Sequence, residues 1–424
     1  MRGVIRRLLP PLGRRAWRLL AGILVFEIGT GMTLPLVIVY LHDQRGISLS
    51  AAGVALAAVG AGGLIATVAA GLTTDRIGAG WTAVSGLVLA GAATASYVLV
   101  DSAWAAIAVS AIQGAGFAAT WVGVFPILVE AVPVEQRGDA LGTNYGVTNL
   151  GLGIGSTIAG LVLAADATGF TALFITDAAT YGLFAAALIG TGEVRRRRHA
   201  HADAGTGYMP VLRDMRLLAA TAIMVVFVVA GYSQFTSAFP VWATSEVGAP
   251  RSLVGFAFAA NTWAIALAQL PVLSLVRGRR RTRAVAAAGI TFAASWLIAL
   301  AAGAISSLAA AEVALVAAAA VFGLGETLLS PGLPAVVQDI ADDATRGRYV
   351  AVFSVAWQVG PMIGPAIAGA ALAAGHGAGL LIGLALTCAL TAPAALAFER
   401  MLPFAANGGA GRALAYPAKV ENVQ

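Results

Sequence analysis

Charge is scarce in this sequence. Charged residues make up only 11% of the 424 residues, whereas 59% are hydrophobic, and an average soluble domain carries about 25% charged residues. No polar stretch is long enough to fold as a separate soluble domain. Together with a mean hydropathy of +0.85, this composition excludes a soluble fold and indicates a protein that lies in a lipid bilayer along its whole length.

Cysteine is almost absent. The single Cys388 lies in the last hydrophobic segment, which excludes a disulfide framework and a Cys-rich metal site. The sequence also has no nucleotide-binding loop, metal-binding cluster or nucleophile arrangement. We therefore expect neither enzymatic activity nor a bound cofactor or metal.

Lysine is scarce as well, because Lys419 is the only lysine among the 26 basic residues. The net charge of +6 would suggest nucleic acid if the arginines formed one stripe, but they are distributed over loops. We expect no nucleic-acid partner.

Apolar segments of bilayer-spanning length recur through the chain. A bilayer core needs about 20 apolar residues per helix. The first segment follows arginines, but its apolar run is too long for a signal peptide and contains Glu27 and Pro35. Pro126 in the fourth segment, and Pro331 and Pro334 in the tenth, predict kinks. The twelve predicted segments are residues 17–40, 49–72, 81–100, 103–130, 138–164, 169–190, 217–240, 252–276, 284–304, 307–339, 348–374 and 377–398.

The basic residues predict the topology, because Arg and Lys gather in cytoplasmic loops. With the N-terminus inside, all of the 26 basic residues except Arg45 and Arg251 fall on the inner side. We therefore expect a multi-pass protein of the bacterial inner membrane with both termini in the cytoplasm.

The two halves of the sequence repeat each other. Gly114 and Gly323 are 209 residues apart, and at this constant offset small and charged residues recur over about 55 positions. Such a repeat of six-helix units is the layout of a two-half transporter. Gly114, Gly116, Glu130, Arg137, Gly138, Gly151, Gly155 and Gly160 correspond to Gly323, Gly325, Asp339, Arg346, Gly347, Gly360, Gly364 and Gly369.

These observations predict an all-α membrane protein with 12 transmembrane helices in two six-helix pseudo-repeats. The N-terminal half is predicted at residues 1–190 and the C-terminal half at residues 217–400. The longest polar interruption, residues 191–216, is the predicted cytoplasmic linker, and residues 401–424 are the predicted cytoplasmic tail.

Short motifs then identify a family. The loop predicted after the second helix has Gly71, Asp75, Arg76 and Gly78 at the spacing G-x-x-x-D-R-x-G. This pattern resembles motif A of the major facilitator superfamily, and Gln113-Gly114-Ala-Gly116 in the fourth helix resembles the end of its motif B. Residues 151–160 resemble the antiporter motif C, with Ser156 where proline is usual, and residues 360–369 carry a fuller version. The resemblance covers the whole chain and extends to twelve-helix drug:proton antiporters.

Three acids lie near the middle of predicted helices: Glu27, Asp177 and Glu326. Acids in the bilayer core are costly and mark functional sites. No Arg or Lys lies at that depth, and an apolar site without a cation favours the protonated form of an acid. We therefore predict proton-coupling roles, with Glu27 as the principal carrier, Glu326 as a second carrier or substrate contact, and Asp177 more suited to a hydrogen bond between helices.

The resemblance implies a central cavity between the halves, lined by helices one, two, four, five, seven, eight, ten and eleven. Aromatic side chains offer apolar and cation-binding faces, and amides orient a ligand; interhelical contacts are the alternative role. The candidate lining residues are Gln113, Trp121, Asn144, Tyr145, Asn149, Tyr232, Gln234, Asn261, Trp263, Gln269, Trp357 and Gln358.

Acids and arginines also lie at the predicted inner helix ends. We predict that they form ion pairs, such as Glu130 with Arg137 and Asp339 with Arg346, that close the cytoplasmic side in one state and part in the other. Solvated residues that only set the topology are the alternative. The predicted gate comprises Gly71, Asp75, Arg76, Gly78, Glu130, Arg137, Asp339, Arg346 and Arg348.

The leading functional hypothesis is proton-coupled efflux of a lipophilic or cationic drug or metabolite by a monomeric antiporter. The expected partners are this small-molecule substrate, protons and the lipid bilayer. Transport of a neutral polar solute such as a sugar is an alternative, and a non-transporting membrane sensor or scaffold is another. An anionic substrate is disfavoured, because no arginine lies at midplane depth to compensate its charge.

Overall fold

A computed structural model describes residues 10, 12–166, 169–193, 208–276, 278–342, 345–404 and 406–408. Within these residues all regular secondary structure is helical, and twelve helices are long and apolar enough to cross a membrane. The predicted fold class is therefore confirmed. The helices are α1 (Arg14–Gln44), α2 (Leu49–Ile77), α3 (Ala79–Leu99), α4 (Ala103–Glu130), α5 (Val134–Ala165), α6 (Phe170–Gly190), α7 (Met215–Glu246), α8 (Arg251–Val276), α9 (Arg281–Ala302), α10 (Leu308–Ile340), α11 (Arg346–Ala373) and α12 (Gly377–Met401).

Local sequence explains several helix ends. Ser48, Ser102 and Ser307 precede α2, α4 and α10, and each side chain accepts a hydrogen bond from the backbone N–H three residues later. Such caps satisfy N–H groups that lack a partner within the helix. Gly78 ends α2 with a φ of +90°, a conformation that favours glycine.

The structure corrects one predicted helix detail and shows how the proline-containing helices run. Residues 71–77 are helical, so Asp75 and Arg76 lie in the last two turns of α2 and not in a loop. The tenth helix is interrupted between Leu329 and Leu333, as its prolines predicted, whereas α4 continues through Pro126 to its end. Tight packing of α4 along α2 and α3 supports the helix past this proline.

Each six-helix set packs chiefly within itself. In the N-half (α1–α6), α1 packs on α5 and α6, and α4 packs on α2 and α3; in the C-half (α7–α12), α10 packs on α8 and α9, and α12 packs on α9. The halves meet mainly along α2 with α11 and along α5 with α8. The linker and tail limits stay predictions, because residues 194–207 and 409–424 lie outside the described residues.

Glycines bring the halves together at one end of the bundle. We call the end where α1 begins and α12 ends the Arg-rich side, and the other end the opposite side. A Cβ at Gly53 would lie 2.9 Å from Cα of Gly369, and one at Gly255 would lie 2.8 Å from Cα of Gly160. These four positions belong to the opposite-side parts of their helices. The halves are therefore closed against each other at the opposite side.

A proline and a serine tie α1 to α5. Pro35 has no N–H to donate to the Gly31 carbonyl one turn earlier. The hydroxyl of Ser156 on α5 donates to that carbonyl instead, at 3.0 Å. Ser156 therefore satisfies the acceptor that the proline leaves open and fixes α1 beside α5.

Candidate functional site

The C-half holds one acid among aromatic and amide side chains. Glu326 of α10 is half-buried, and its Oε1 accepts a hydrogen bond at 2.9 Å from Nδ2 of Asn261 on α8. The side chain of Tyr232 on α7 lies beside the same carboxylate. Three helices of the C-half therefore converge on Glu326.

The N-half contributes to the same place through α5. Tyr145 lies close enough to Glu326 and Tyr232 to interact electrostatically with both. The sequence predicted all of these residues as cavity-lining or proton-coupling groups, and the structure brings them together across the boundary between the halves. We call this place the chamber and define it by Tyr145, Tyr232, Asn261, Glu326 and Trp357.

Aromatic rings form the wall of the chamber. The rings of Tyr232 and Trp357 lie 4.9 Å apart, and Phe292 and Phe322 stack behind Tyr232 with ring centroids 4.1 Å apart. Trp357 is 42% exposed, so part of its side chain is accessible. Such rings offer apolar contact and a negative face for a cation.

The described residues supply no positive charge to the chamber. The arginines that the structure describes all belong to loops or to the first or last two turns of helices. In this part of the chain Glu326 therefore has an amide and phenols as neighbours but no cation. A cationic ligand or a proton would compensate its charge.

A second acidic site lies inside the N-half. Glu27 of α1 is 3% exposed and Asp177 of α6 is 0% exposed, and the two interact electrostatically. Helix packing is very close here, because a Cβ at Gly29 would lie 2.5 Å from Oδ1 of Asp177 and one at Gly151 would lie 2.6 Å from Cβ of Glu27. We call Glu27 and Asp177 the acid pair.

Hydroxyl groups surround the acid pair. Thr33 donates to Oδ2 of Asp177 at 2.5 Å, and Thr148 of α5 donates to Oε1 of Glu27 at 3.5 Å. The bond from Thr33 joins α1 to α6, as expected for Asp177. Oδ1 of Asp177 is buried and has no hydrogen-bond partner among the described residues.

Helix α5 connects the acid pair to the chamber. Thr148 and Gly151 contact Glu27 on one side, and Tyr145, one turn earlier, lies close enough to Glu326 to interact electrostatically with it. Further along α5, a Cβ at Gly153 would lie 2.9 Å from Oγ1 of Thr262 on α8, next to Asn261. A shift of α5 would therefore change both acidic sites.

Several predicted cavity residues lie between helices instead. Gln113 donates to Thr94 at 3.2 Å and accepts from Tyr97 at 3.1 Å, which joins α4 to α3. Gln234 donates to the Gly364 carbonyl at 2.9 Å, which joins α7 to α11. Such amide bonds satisfy polar groups that lipid and apolar side chains leave without partners.

The other predicted lining residues are more dispersed. Gln269 donates to Ser330 at 3.2 Å, between α8 and α10, and Gln358 lies against Gly63 of α2. Trp121 packs on Phe26 inside the N-half, with ring centroids 6.1 Å apart. The remaining three are Asn144, which is buried, Asn149, which donates to the Tyr145 carbonyl, and Trp263, which is 42% exposed.

The predicted gate residues lie at the Arg-rich side. Asp75, Arg76, Arg137 and Arg346 are exposed, whereas Arg348 and Glu130 are partly buried. Gly71 lies in the last two turns of α2, and Gly78 follows the end of that helix. Asp339 accepts from Arg281 of α9 at 2.6 Å, a partner that the repeat did not predict. Glu130 likewise interacts with Arg15 of α1. Gating roles for these residues stay a prediction.

Sequence reasoning missed the residues that complete these sites. Thr33 and Thr148 are common residue types in such helices, and only the helix packing reveals that they face acids. The sequence analysis also missed Asp43, which forms an ion pair with Arg251. Arg251 and Arg45, which lies two residues after Asp43, are the two arginines that were predicted on the outer side.

Comparison with known proteins identifies a family and a relative with a similar sequence. A sequence profile described as the Major Facilitator Superfamily matches residues 19–245 and again 221–417. The chain is 23% identical over 282 residues to YqjV of Bacillus subtilis (strain 168), described as an uncharacterized MFS-type transporter. This match covers 62% of the chain and 65% of YqjV, so it spans less than two thirds of that relative.

Solved structures show the same fold at low identity. The nucleoside transporter NupG matches with a TM-score of 0.68 and 13% identity, covering 92% of this chain and 100% of NupG. A POT family transporter in complex with a thioalcohol-conjugated peptide matches with a TM-score of 0.74 and 13% identity, covering 92% of this chain and 96% of that one. Identities this low carry the fold alone.

Proposed function

The chain belongs to the major facilitator superfamily and is a secondary transporter of the membrane, and we propose that it exports a lipophilic or cationic small molecule in exchange for protons. The observation that carries this proposal is Glu326. It lies between the halves with Asn261, Tyr232 and Tyr145 around it, and no described arginine compensates it. A cation placed against Trp357 and Tyr232 would supply the missing charge.

Alternating access fits the described packing. The halves are in contact at the opposite side through glycines of α2, α5, α8 and α11. Toward the Arg-rich side, Tyr145, Trp263 and Trp357 are exposed on α5, α8 and α11. We propose that this conformation receives substrate from the Arg-rich side, and that this side faces the cytoplasm of a bacterial cell whose inner membrane holds the protein as a monomer.

Glu27 is the proposed proton carrier. A carboxylate that is 3% exposed within an apolar bundle is costly, and a proton removes that cost. Protonation would also change the contact of Glu27 with α5, which reaches Glu326 through Tyr145. Binding of proton and substrate would thus favour different states of the same helix, which is sufficient for exchange.

The test is transport by purified protein in liposomes with an imposed pH gradient. The probes are tetraphenylphosphonium as a lipophilic cation, a neutral sugar and an organic anion. We expect uphill movement of the cation only. Uphill movement of the sugar at the same rate would favour the neutral-solute alternative, and movement of none of them under any gradient would favour the sensor or scaffold.

Two variants separate the proposed roles. Glu27→Gln should abolish the dependence of transport on the pH gradient while keeping downhill movement of neutral compounds. Glu326→Gln should weaken cation binding by about tenfold, the loss of one charge-assisted contact of about 1.5 kcal/mol. Asp101→Asn, which alters an exposed acid outside the helices, is the matched control and should transport like the parent.

A further inference from the structure

Asn261 of α8 joins the acid of the chamber to the backbone of α10. Its side chain is 5% exposed, and Nδ2 donates to Oε1 of Glu326 at 2.9 Å and to the Ala319 carbonyl at 3.4 Å. These two acceptors are seven residues apart in sequence, so they lie two turns from each other on one face of α10. A primary amide has two N–H donors, and Asn261 uses both of them on α10. The amide therefore holds the carboxylate in one place relative to both helices.

A glycine makes this arrangement possible. Gly323 lies between Ala319 and Glu326 on α10, and a Cβ there would overlap the backbone carbonyl oxygen of Asn261 and lie 3.2 Å from its Nδ2. A larger residue at this position would push α8 away from α10. Because the two helices touch here, the amide reaches Glu326 directly.

The next residue of α8 faces the other half. A Cβ at Gly153 of α5 would lie 2.9 Å from Oγ1 of Thr262 and 3.4 Å from its Cβ. The Thr262 hydroxyl donates to the Phe258 carbonyl of its own helix at 2.9 Å, so its contact with α5 is one of packing. Consecutive residues of a helix point about 100° apart, which places α10 on one face of α8 and α5 on the adjoining face. Helix α8 therefore connects the acid of the C-half to the N-half.

We propose that Asn261 is a positioning residue that couples the charge on Glu326 to the contact between α8 and α5. A hydrogen bond to an ionised carboxylate is about twice as strong as one between neutral groups. A cation bound at Glu326 compensates this charge, which weakens the bond from Asn261 and loosens α8 from α10. The contact of Thr262 with Gly153 then changes with the occupancy of the chamber. This inference rests on the proposed binding of a cation at Glu326 and adds the route by which that binding reaches the other half.

Gln234 of α7 provides a contrast. It is also a buried amide, 1% exposed, but it donates to the Gly364 carbonyl. This acceptor is neutral, and its strength does not depend on a charge in the chamber. The shorter bond of Asn261 goes instead to an acid whose charge the proposed substrate compensates. A substitution of Gln234 is therefore a matched control for one of Asn261.

Cross-linking between α5 and α8 tests the coupling. Gly153→Cys with Thr262→Cys in a Cys388→Ser background places two Cβ atoms about 3.4 Å apart, near the spacing of about 3.8 Å found in disulfides. The purified full-length protein is oxidised with and without saturating tetraphenylphosphonium, and the rate of cross-linking is measured. We expect the cation to change this rate by about fivefold, the lower end of typical coupling between two sites.

Three further variants in the same background identify the route. In Asn261→Leu the cross-linking rate should not respond to tetraphenylphosphonium, because the bond to Glu326 is absent. Glu326→Gln should not respond either, because it has no charge to compensate, and this variant decides the question alone if Asn261→Leu does not fold. Gln234→Leu should respond like the parent.

A response of the parent size in Asn261→Leu or in Glu326→Gln would overturn the coupling. So would loss of the response in Gln234→Leu, or a parent protein that binds the cation without any change in rate. None of these results affects the proposed transport, which the pH-gradient assay measures separately. Conversely, a parent protein that shows the response but moves no cation on a pH gradient would overturn the proposed function and keep the positioning role. A parent protein that binds no tetraphenylphosphonium would overturn both.

Discussion

Asp43 accepts a hydrogen bond from Nε of Arg251 at 2.8 Å. This ion pair joins the last turn of α1 in the N-half to the first turn of α8 in the C-half, at the opposite side. The side chains are only 19% and 31% exposed, so the pair is partly shielded from salt. Close contacts between glycines of the two halves lie in the same part of the bundle. The pair is placed to hold the opposite side closed.

We predict that Asp43→Asn and Arg251→Gln each increase the opening of that side. A partly exposed ion pair contributes about 0.2–1 kcal/mol, which corresponds to up to about fivefold in the ratio of states. A cysteine at buried Ser237 in a Cys388→Ser background reports the opening through labelling with an impermeant maleimide. The exchange Asp43→Arg with Arg251→Asp should restore slow labelling. Equal labelling of all variants would show that the pair does not hold the side closed.

Close packing at Gly255 gives a second prediction. A Cβ there would lie 2.5 Å from the Gly160 nitrogen, so Gly255→Ala should force α8 away from α5. We expect a loss of about 1–3 kcal/mol in stability and several-fold slower transport. Gly142→Ala on α5, where a Cβ meets nothing within 4 Å, should stabilise by up to about 1 kcal/mol. Similar melting temperatures for the two variants would contradict this account.

Particular residues show how far the sequence could predict this protein. Runs of about 20 apolar residues defined all twelve helices, because bilayer thickness sets a length that sequence displays directly. Glu326 could be chosen as a candidate site residue, because an acid without a local partner is conspicuous in an apolar segment. Gln234 was predicted to line the cavity but donates to the Gly364 carbonyl instead, because an amide in a helix looks the same in sequence whether it faces a cavity or another helix.

Interhelical partners were the least predictable feature. Arg281 pairs with Asp339 although the two are far apart in sequence and the repeat suggested Arg346. Thr33 faces Asp177 only because α1 and α6 approach closely at Gly29. Such contacts depend on the rotation and spacing of packed helices, which the hydrophobic pattern of a helix buried on several sides does not specify.

The orientation in the membrane is a third prediction. Arginines are concentrated at the side where α1 begins and α12 ends, and such residues remain in the cytoplasm during insertion. Reporters fused after Arg198 and at Gln424 should therefore both show cytoplasmic activity. A periplasmic signal from either fusion would contradict the proposed orientation, and a fusion at Arg45 should give the periplasmic signal as a control.

Asp214, just before α7, gives a prediction for acid stability. Burial would raise the pKa of Asp214, but hydrogen bonds from Arg216 and Tyr349 lower it to about 2. Because this pKa is below the ordinary value of about 3.9, the group stabilises the fold above that value and loses its contribution as the pH falls to about 2. Tyr349→Phe removes one bond, so the pKa should move toward its ordinary value.

The thermal stability of Tyr349→Phe should therefore be lower than that of the parent at neutral pH, and the difference should shrink as the pH falls. Melting temperatures across this range in detergent measure the effect. In an Asp214→Asn background the same substitution should give a difference that does not depend on pH. A pH-independent difference in the parent background would mean that Tyr349 acts through packing alone.

The bond from Ser156 to the Gly31 carbonyl gives the last prediction. Pro35 has no N–H to offer this carbonyl, so Ser156→Ala leaves a buried acceptor without a donor. We expect a loss of about 1–3 kcal/mol in stability, measured as a lower midpoint in denaturant. Pro35→Ala would supply an N–H one turn after Gly31, so Ser156→Ala should cost much less in that background. An equal cost in both backgrounds would show that the hydroxyl stabilises α1 and α5 in some way other than replacing the bond that the proline removes.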